Sequence, residues 1–139
     1  MKKIHSKTTI PPRTAIHVCF SIYDKTGHYS KFLGTTMLSL FENINTQSSV
    51  VTVHILHDNY LTDDNRNKFF YLAKQYNQLV KFYNVDELCI DKVSEIREFF
   101  PEIDEVRFSI GTFYRFFISH ILPNNIEKVI YLDSDIIVN

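Results

Sequence analysis

Lys128-Val129-Ile130-Tyr131-Leu132-Asp133-Ser134-Asp135-Ile136-Ile137-Val138-Asn139 is an apolar run broken by two carboxylates one residue apart. The part before the break is β-branched and aromatic, so Val129 to Leu132 is expected to form a strand. Carboxylates beside a core strand are costly unless an opposite charge meets them. The stretch reads as a strand that delivers two acids to the end of a sheet. Two earlier strand-like runs end in the same manner. Ile16 to Ile22 leads to Asp24, and Val50 to Leu56 leads to Asp58.

Helical patterns lie between these runs. Leu33, Met37, Leu40, Phe41 and Ile44 recur at helical spacing and predict a helix over about Tyr29 to Asn45. Thr62-Asp63-Asp64 has the hydroxyl cap and acidic first turn of a helix start, with Phe69, Leu72, Ala73 and Tyr76 on its inner face. Leu79 to Val85 is expected to be a third strand, and Asp91 to Phe100 a short helix stopped at Pro101. Ser109 is expected to cap another helix, with Ile110, Phe113, Phe117, Ile118 and Ile121 on one side and Pro123 beyond its end.

Alternating strands and helices imply βαβ crossovers and a mostly parallel sheet flanked by helices, a Rossmann-like α/β domain. Such sheets bind ligands outside the carboxyl ends of their strands. Asp24, Asp58, Asp133 and Asp135 are therefore expected to converge on one rim. Residues 1–14 are polar with Pro11-Pro12 near their end, and read as a disordered or extended lead-in. Residues 15–139 form the expected domain, without repeat or linker.

The 139 residues suffice for one domain with a real core. A net charge of -1 argues against nucleic-acid binding. Cys19 and Cys89 sit among apolar residues and read as buried thiols rather than a disulfide. The basic start lacks an apolar region behind it, so no signal peptide is expected, and no apolar stretch reaches membrane-spanning length. These features predict a cytoplasmic protein, with room for peripheral contact at the inner face of a membrane.

Only Gly27, Gly34 and Gly111 occur, and none builds a Gly-rich phosphate loop. A diphosphate would then need another neutraliser. Mn²⁺ or Mg²⁺ held by carboxylates does this, because hard cations choose oxygen ligands and leave positions open for phosphate. Residues two apart in extended chain face the same side, so Asp133 and Asp135 are candidate metal ligands, with Ser134 turned away or touching the ribose. A plain polar turn is the alternative. Arg115 is the one charge within a very apolar segment. Either its stem snorkels and its head meets solvent or a partner carboxylate, or its head points to the rim and holds a sugar hydroxyl, a diphosphate oxygen or an aspartate. Tyr23 and Tyr29 flank the first strand's loop and are candidates for stacking on a base, or for packing on the helix start. His54 and His57 read as structural or surface histidines rather than metal ligands.

Together these pieces resemble the N-terminal part of glycosyltransferase family eight, retaining enzymes of the GT-A fold. The resemblance runs from about Ile16 to Asn139. It is carried by Val18 to Asp24, by Tyr29 to Gly34 with Leu38-Ser39-Leu40, and by His54 to Asp58 with Leu61-Thr62. Most specific are Ser109-Ile110-Gly111-Thr112-Phe113-Tyr114-Arg115 and Val129 to Asp135, which look like that family's Ser-x-x-Thr-x-x-Arg helix and metal motif. The loop Asp24 to Tyr29 is longer than the family's compact form, and Tyr23 replaces a usual small or acidic residue.

The resemblance implies transfer of a hexose from a nucleotide diphosphate sugar, UDP-glucose or UDP-galactose, with retention. It implies Mn²⁺ on Asp133 and Asp135, and Arg115 near the donor's sugar or phosphates. Ser21, Ile22, Tyr23, Asp24 and Tyr29 would hold the uridine, with Ser134 beside them. The acceptor would be a cell-envelope glycan, a lipid-linked sugar or a protein. The family also has donor residues and a metal-binding histidine beyond the equivalent of Asn139. An incomplete domain with little or no transferase activity is therefore expected, or a nucleotide-sugar-binding module. An exposed sheet edge would favour self-association. Asp-x-Asp after a strand also resembles the haloacid-dehalogenase-like phosphatases, but their motif sits on the first strand, and Ile137 stands where they carry a hydroxyl.

Overall fold

The computed structural model describes residues 12–105 and 108–139. The expected lead-in therefore lies almost wholly outside the described residues, and Thr14 already begins a strand. The strands are β1 (Thr14–Ile22), β2 (Ser49–His57), β3 (Leu79–Asn84) and β4 (Ile130–Tyr131). The helices are α1 (His28–Glu42), α2 (Asp63–Gln75), α3 (Val85–Leu88), α4 (Ile90–Phe99) and α5 (Ile118–Ile121). A 3-10 segment, Ile110–Phe117, runs directly into α5.

All pairings are parallel and the strand order is β3-β2-β1-β4. The α/β expectation holds. Alternation along β1 sorts its side chains to two faces. Val18, Phe20 and Ile22 pack with Val51, Val53 and Ile55 against Leu33, Met37 and Phe41 of α1 and Phe69 and Ala73 of α2. On the other face, Cys19, Tyr23 and Leu56 pack against Val93 of α4 and Ile110, Tyr114 and Phe117 of the 3-10 segment. Both faces are apolar because both are covered.

Local chemistry sets the element ends. Thr62 caps α2, its Oγ1 accepting from the Asn65 amide at 3.2 Å. Gly27 enters α1 at φ 73°, a left-handed conformation that a side chain disfavours. A helical stretch runs where one was expected after Ser109, but Ile110–Phe117 is wound as a 3-10 helix and only Ile118–Ile121 as an α-helix, and Ser109 makes no side-chain cap bond. Its run of β-branched and aromatic residues around Gly111 has little intrinsic preference for the α form. β4 is shorter than expected, although Leu132 still donates its amide to the Cys19 carbonyl at 3.0 Å. Cys19 and Cys89 are free thiols, and burial pushes Cys19 up to about 12.

One consequence of the strand order positions the site. From β1 the chain steps to β2 and then β3 on one side, but returns to place β4 on the other side of β1. The order reverses between β1 and β4, and such switch points open a crevice beyond the strand ends.

Candidate functional site

A cleft of about 210 Å³ lies at that crevice. Ser21 and Tyr23 border it from the end of β1, Tyr29 from the start of α1, and Tyr131, Asp133, Ser134 and Asp135 from β4 and its turn. Ser109, Gly111, Thr112 and Arg115 close the remaining side. The 3-10 segment approaches β1 closely. A Cβ on Gly111 would sit 2.9 Å from the Tyr23 Cβ and 3.3 Å from its backbone nitrogen, so only glycine fits without displacement.

The acidic turn is held from behind by α1. The buried Thr36 hydroxyl lies between the carbonyls of Ser134, at 3.0 Å, and Ile136, at 2.8 Å, which share its single proton. Ser39 Oγ accepts from the Val138 amide at 3.0 Å, and Asn43 donates to the Val138 carbonyl at 2.9 Å. Ser134 is itself buried, while Asp133 and Asp135 are exposed at the rim.

Arg115 reaches across the cleft. Its Nε donates to the Thr112 carbonyl at 3.2 Å, and its Nη2 lies 3.3 Å from Asp133 Oδ1. Its guanidinium carbon sits 4.8 Å from the centre of the Tyr131 ring. The Asp133 contact brings the Arg115 head to the rim, and it suits both readings, a snorkelling stem with a partner carboxylate and a rim arginine on an aspartate. Tyr131 in turn places its hydroxyl 2.6 Å from Ser21 Oγ. Burial raises the Tyr131 phenol above its ordinary range, so it stays protonated.

The expected rim of carboxylates splits in two. Asp24 and Asp58 are buried together away from the cleft, the Asp24 amide donating to Asp58 Oδ2 at 2.5 Å. Asp58 Oδ1 also accepts from the amides of Tyr60 and Leu61, and Asp24 accepts from the Ser30 amide and hydroxyl. These carboxylates tie the β1 and β2 loops together, and burial pushes Asp58 up to about 6. Ile22 packs in the core. Neither Ile22 nor Asp24 is among the residues that line the cleft. Tyr23 lines it, but hydrogen bonds to Asp104, and burial and that carboxylate push its phenol up to about 12. Tyr29 is exposed beside the cleft, its ring 6.2 Å from that of Phe32. His54 and His57 are buried and structural, His54 between His17 and Tyr83 and His57 on the Asp58 carbonyl.

The sequence profile of Glycosyl transferase family 8 matches residues 19–139. The chain belongs to that family. No curated relative and no solved structure matches it. In this family 8 glycosyltransferase domain, the matched span takes in every residue that lines the cleft. A family 8 chain needs room for a nucleotide-sugar donor, and the switch-point cleft is polar and open where β1 and β4 end. A larger depression of about 650 Å³ lies among Phe99, Phe100, Phe108 and Phe113. Its described walls are mostly apolar, with Glu102 and Thr112 among them, and among the described residues no acid pair meets there as Asp133 and Asp135 do in the cleft.

Asp133 and Asp135 supply oxygen donors only, which suits a hard cation rather than zinc. Among the described residues no third histidine, cysteine, aspartate or glutamate joins them. Such a pair fits an ion that keeps water and takes phosphate oxygens. Among the described residues no helix is long and apolar enough to cross a membrane. Sequence reasoning missed Thr36, Ser109, Gly111, Thr112 and Tyr131 as parts of the site. Only the quoted motifs pointed toward the last four, and nothing marked Thr36.

Proposed function

We propose that the chain binds a UDP-hexose in the β1–β4 cleft, with Mn²⁺ or Mg²⁺ on Asp133 and Asp135, and transfers the hexose to an acceptor hydroxyl with retention. The observation that carries this is the meeting of Arg115, Asp133, Asp135, Ser21 and Tyr29 at the strand-order reversal. When bound, the cation neutralises the diphosphate, which the two carboxylates alone would repel. Arg115 brings a permanent positive charge with several N–H donors to the same place. Breaking the bond between the sugar's anomeric carbon and its phosphate oxygen builds negative charge on that oxygen, and Arg115 is aimed to stabilise it. Ser21 and Tyr29 border the end of the cleft nearest the β1 loop, where a uridine would lie. Gly111 allows the 3-10 segment to close against Tyr23.

The two-carboxylate set supports a second reading, a domain that binds nucleotide sugar without turning it over. Calorimetry of UDP with and without Mn²⁺ tests the binding. UDP affinity should rise with Mn²⁺, and Asp133→Asn or Asp135→Asn should each remove at least about tenfold of it. Equal affinity in all three proteins ends the proposal. UDP release from UDP-glucose or UDP-galactose then separates the two readings.

A further inference from the structure

We propose that Tyr131 is a positioning residue that holds Arg115 over the donor cleft, an inference that rests on the UDP-hexose reading above. Arg115 is a long side chain on the surface, with about two-fifths of its side chain exposed (40%). Unrestrained, it would sample many rotamers, and ordering it on binding would weaken the donor. Three contacts restrain it: the Thr112 carbonyl, Asp133 and the Tyr131 ring. Thr112 belongs to Arg115's own segment and moves with it. Asp133 is one of the two carboxylates that would hold the cation, and taking it up would draw Asp133 away from Arg115. Tyr131 contacts Arg115 from outside its segment and would keep that contact through such an exchange.

Tyr131 is built to be a fixed platform. Its backbone pairs with Cys19 in the sheet, so β1 sets its position. Its hydroxyl meets Ser21 Oγ at 2.6 Å, which fixes the ring's far end. A guanidinium 4.8 Å above such a face is attracted by the ring quadrupole and keeps its N–H edges directed outward. The platform therefore connects the nucleoside end of the cleft, at Ser21, with the charged end, at Arg115.

The test separates ring, hydroxyl and guanidinium in the full chain. With Mn²⁺, Tyr131→Leu should weaken UDP by about 3- to 10-fold, the scale of one cation–π contact and the order it imposes. Tyr131→Phe keeps the ring and should recover most of the loss. Arg115→Ala should weaken UDP as well, and adding Tyr131→Leu to it should cost less than about twofold more, since Tyr131 acts through Arg115. Fully additive losses, or a Tyr131→Leu protein that binds as the wild type does, overturn the proposal.

A second measurement needs no ligand. Ring currents from Tyr131 should shift the Arg115 Cδ protons upfield in the NMR spectrum. The shift should persist in Tyr131→Phe and vanish in Tyr131→Leu. Its absence from the wild type overturns the platform even if UDP binds. If UDP does not bind but the shift is present, the function proposed above fails and the Tyr131–Arg115 contact stands.

Discussion

At the scale of single residues, the acidic turn depends on one hydroxyl. Thr36 is buried and donates toward two carbonyls of the segment that carries Asp135. Thr36→Val keeps the shape and removes the donor, leaving both carbonyls without it in a dry setting. The loss should be about 1–2 kcal/mol of stability, typical for unsatisfied buried acceptors, and urea melts will measure it. Mn²⁺-dependent UDP binding should weaken as well, because the turn that aims Asp133 and Asp135 loosens. Thr36→Ser restores the donor and should recover both. A valine variant that melts and binds like the wild type would show that α1 does not hold the turn.

At the scale of elements, the 3-10 segment decides where Arg115 stands, and Asp104 fastens its start. Asp104 Oδ1 accepts the Ile110 amide at 3.0 Å, and the same carboxylate pairs with Arg97 of α4 and hydrogen bonds to Tyr23. Burial works to raise Asp104, but the Ile110 amide and Arg97 outweigh it and hold the group below the ordinary carboxylate range. Asp104→Ala strands an amide, a guanidinium and a phenol at once, so about 1–3 kcal/mol should be lost, read by urea melts. UDP binding should fall with it, since the segment also carries Gly111, Thr112 and Arg115. Unchanged stability and binding would remove Asp104 from this role. Sequence exposed the elements with a clear period: β1 and β2 by their apolar runs, α1 by Leu33, Met37 and Phe41, α2 by its Thr62 cap. It did not expose the winding of Ile110–Phe117, because the buried Ile110, Tyr114 and Phe117 serve either helix type. The acids and Arg115 were legible as charges in apolar surroundings. Thr36 and Asp104 were not, because each is an ordinary polar residue whose meaning lies in a partner brought near only by the fold.

At the scale of the whole molecule, covering both faces of the sheet leaves ionisable groups in its interior. His54 is fully buried on the face under α4 and the 3-10 segment, with His17 and Tyr83 on its two ring nitrogens, each at 3.0 Å. Burial, helped by His17 and Lys81, lowers it from 6.5 to about 4. The unfolded chain therefore takes up a proton near pH 6.5 that the folded chain refuses. His54's share of stability is full above that value and is lost as pH falls toward 4, roughly 3 kcal/mol in all at about 1.4 kcal/mol per unit. Asp58 works in the opposite sense. Raised from 3.8 to about 6, it contributes most below pH 3.8, and its share is lost as pH climbs through 6. The two slopes oppose each other across one window, so the wild-type protein should be flatter between pH 4 and 6.5 than either group alone would make it. His54→Gln removes one slope. The variant should be less stable than the wild type at about pH 7.5, where it lacks the ring's packing and hydrogen bonds. The deficit should shrink by roughly 2 kcal/mol on acidification to about pH 4.5, because only the wild type then loses the His54 share. Urea melts of both proteins across that range measure the difference directly. A deficit independent of pH would mean that His54 titrates alike in the folded and unfolded chain, and that the helix-covered face is not sealed from water.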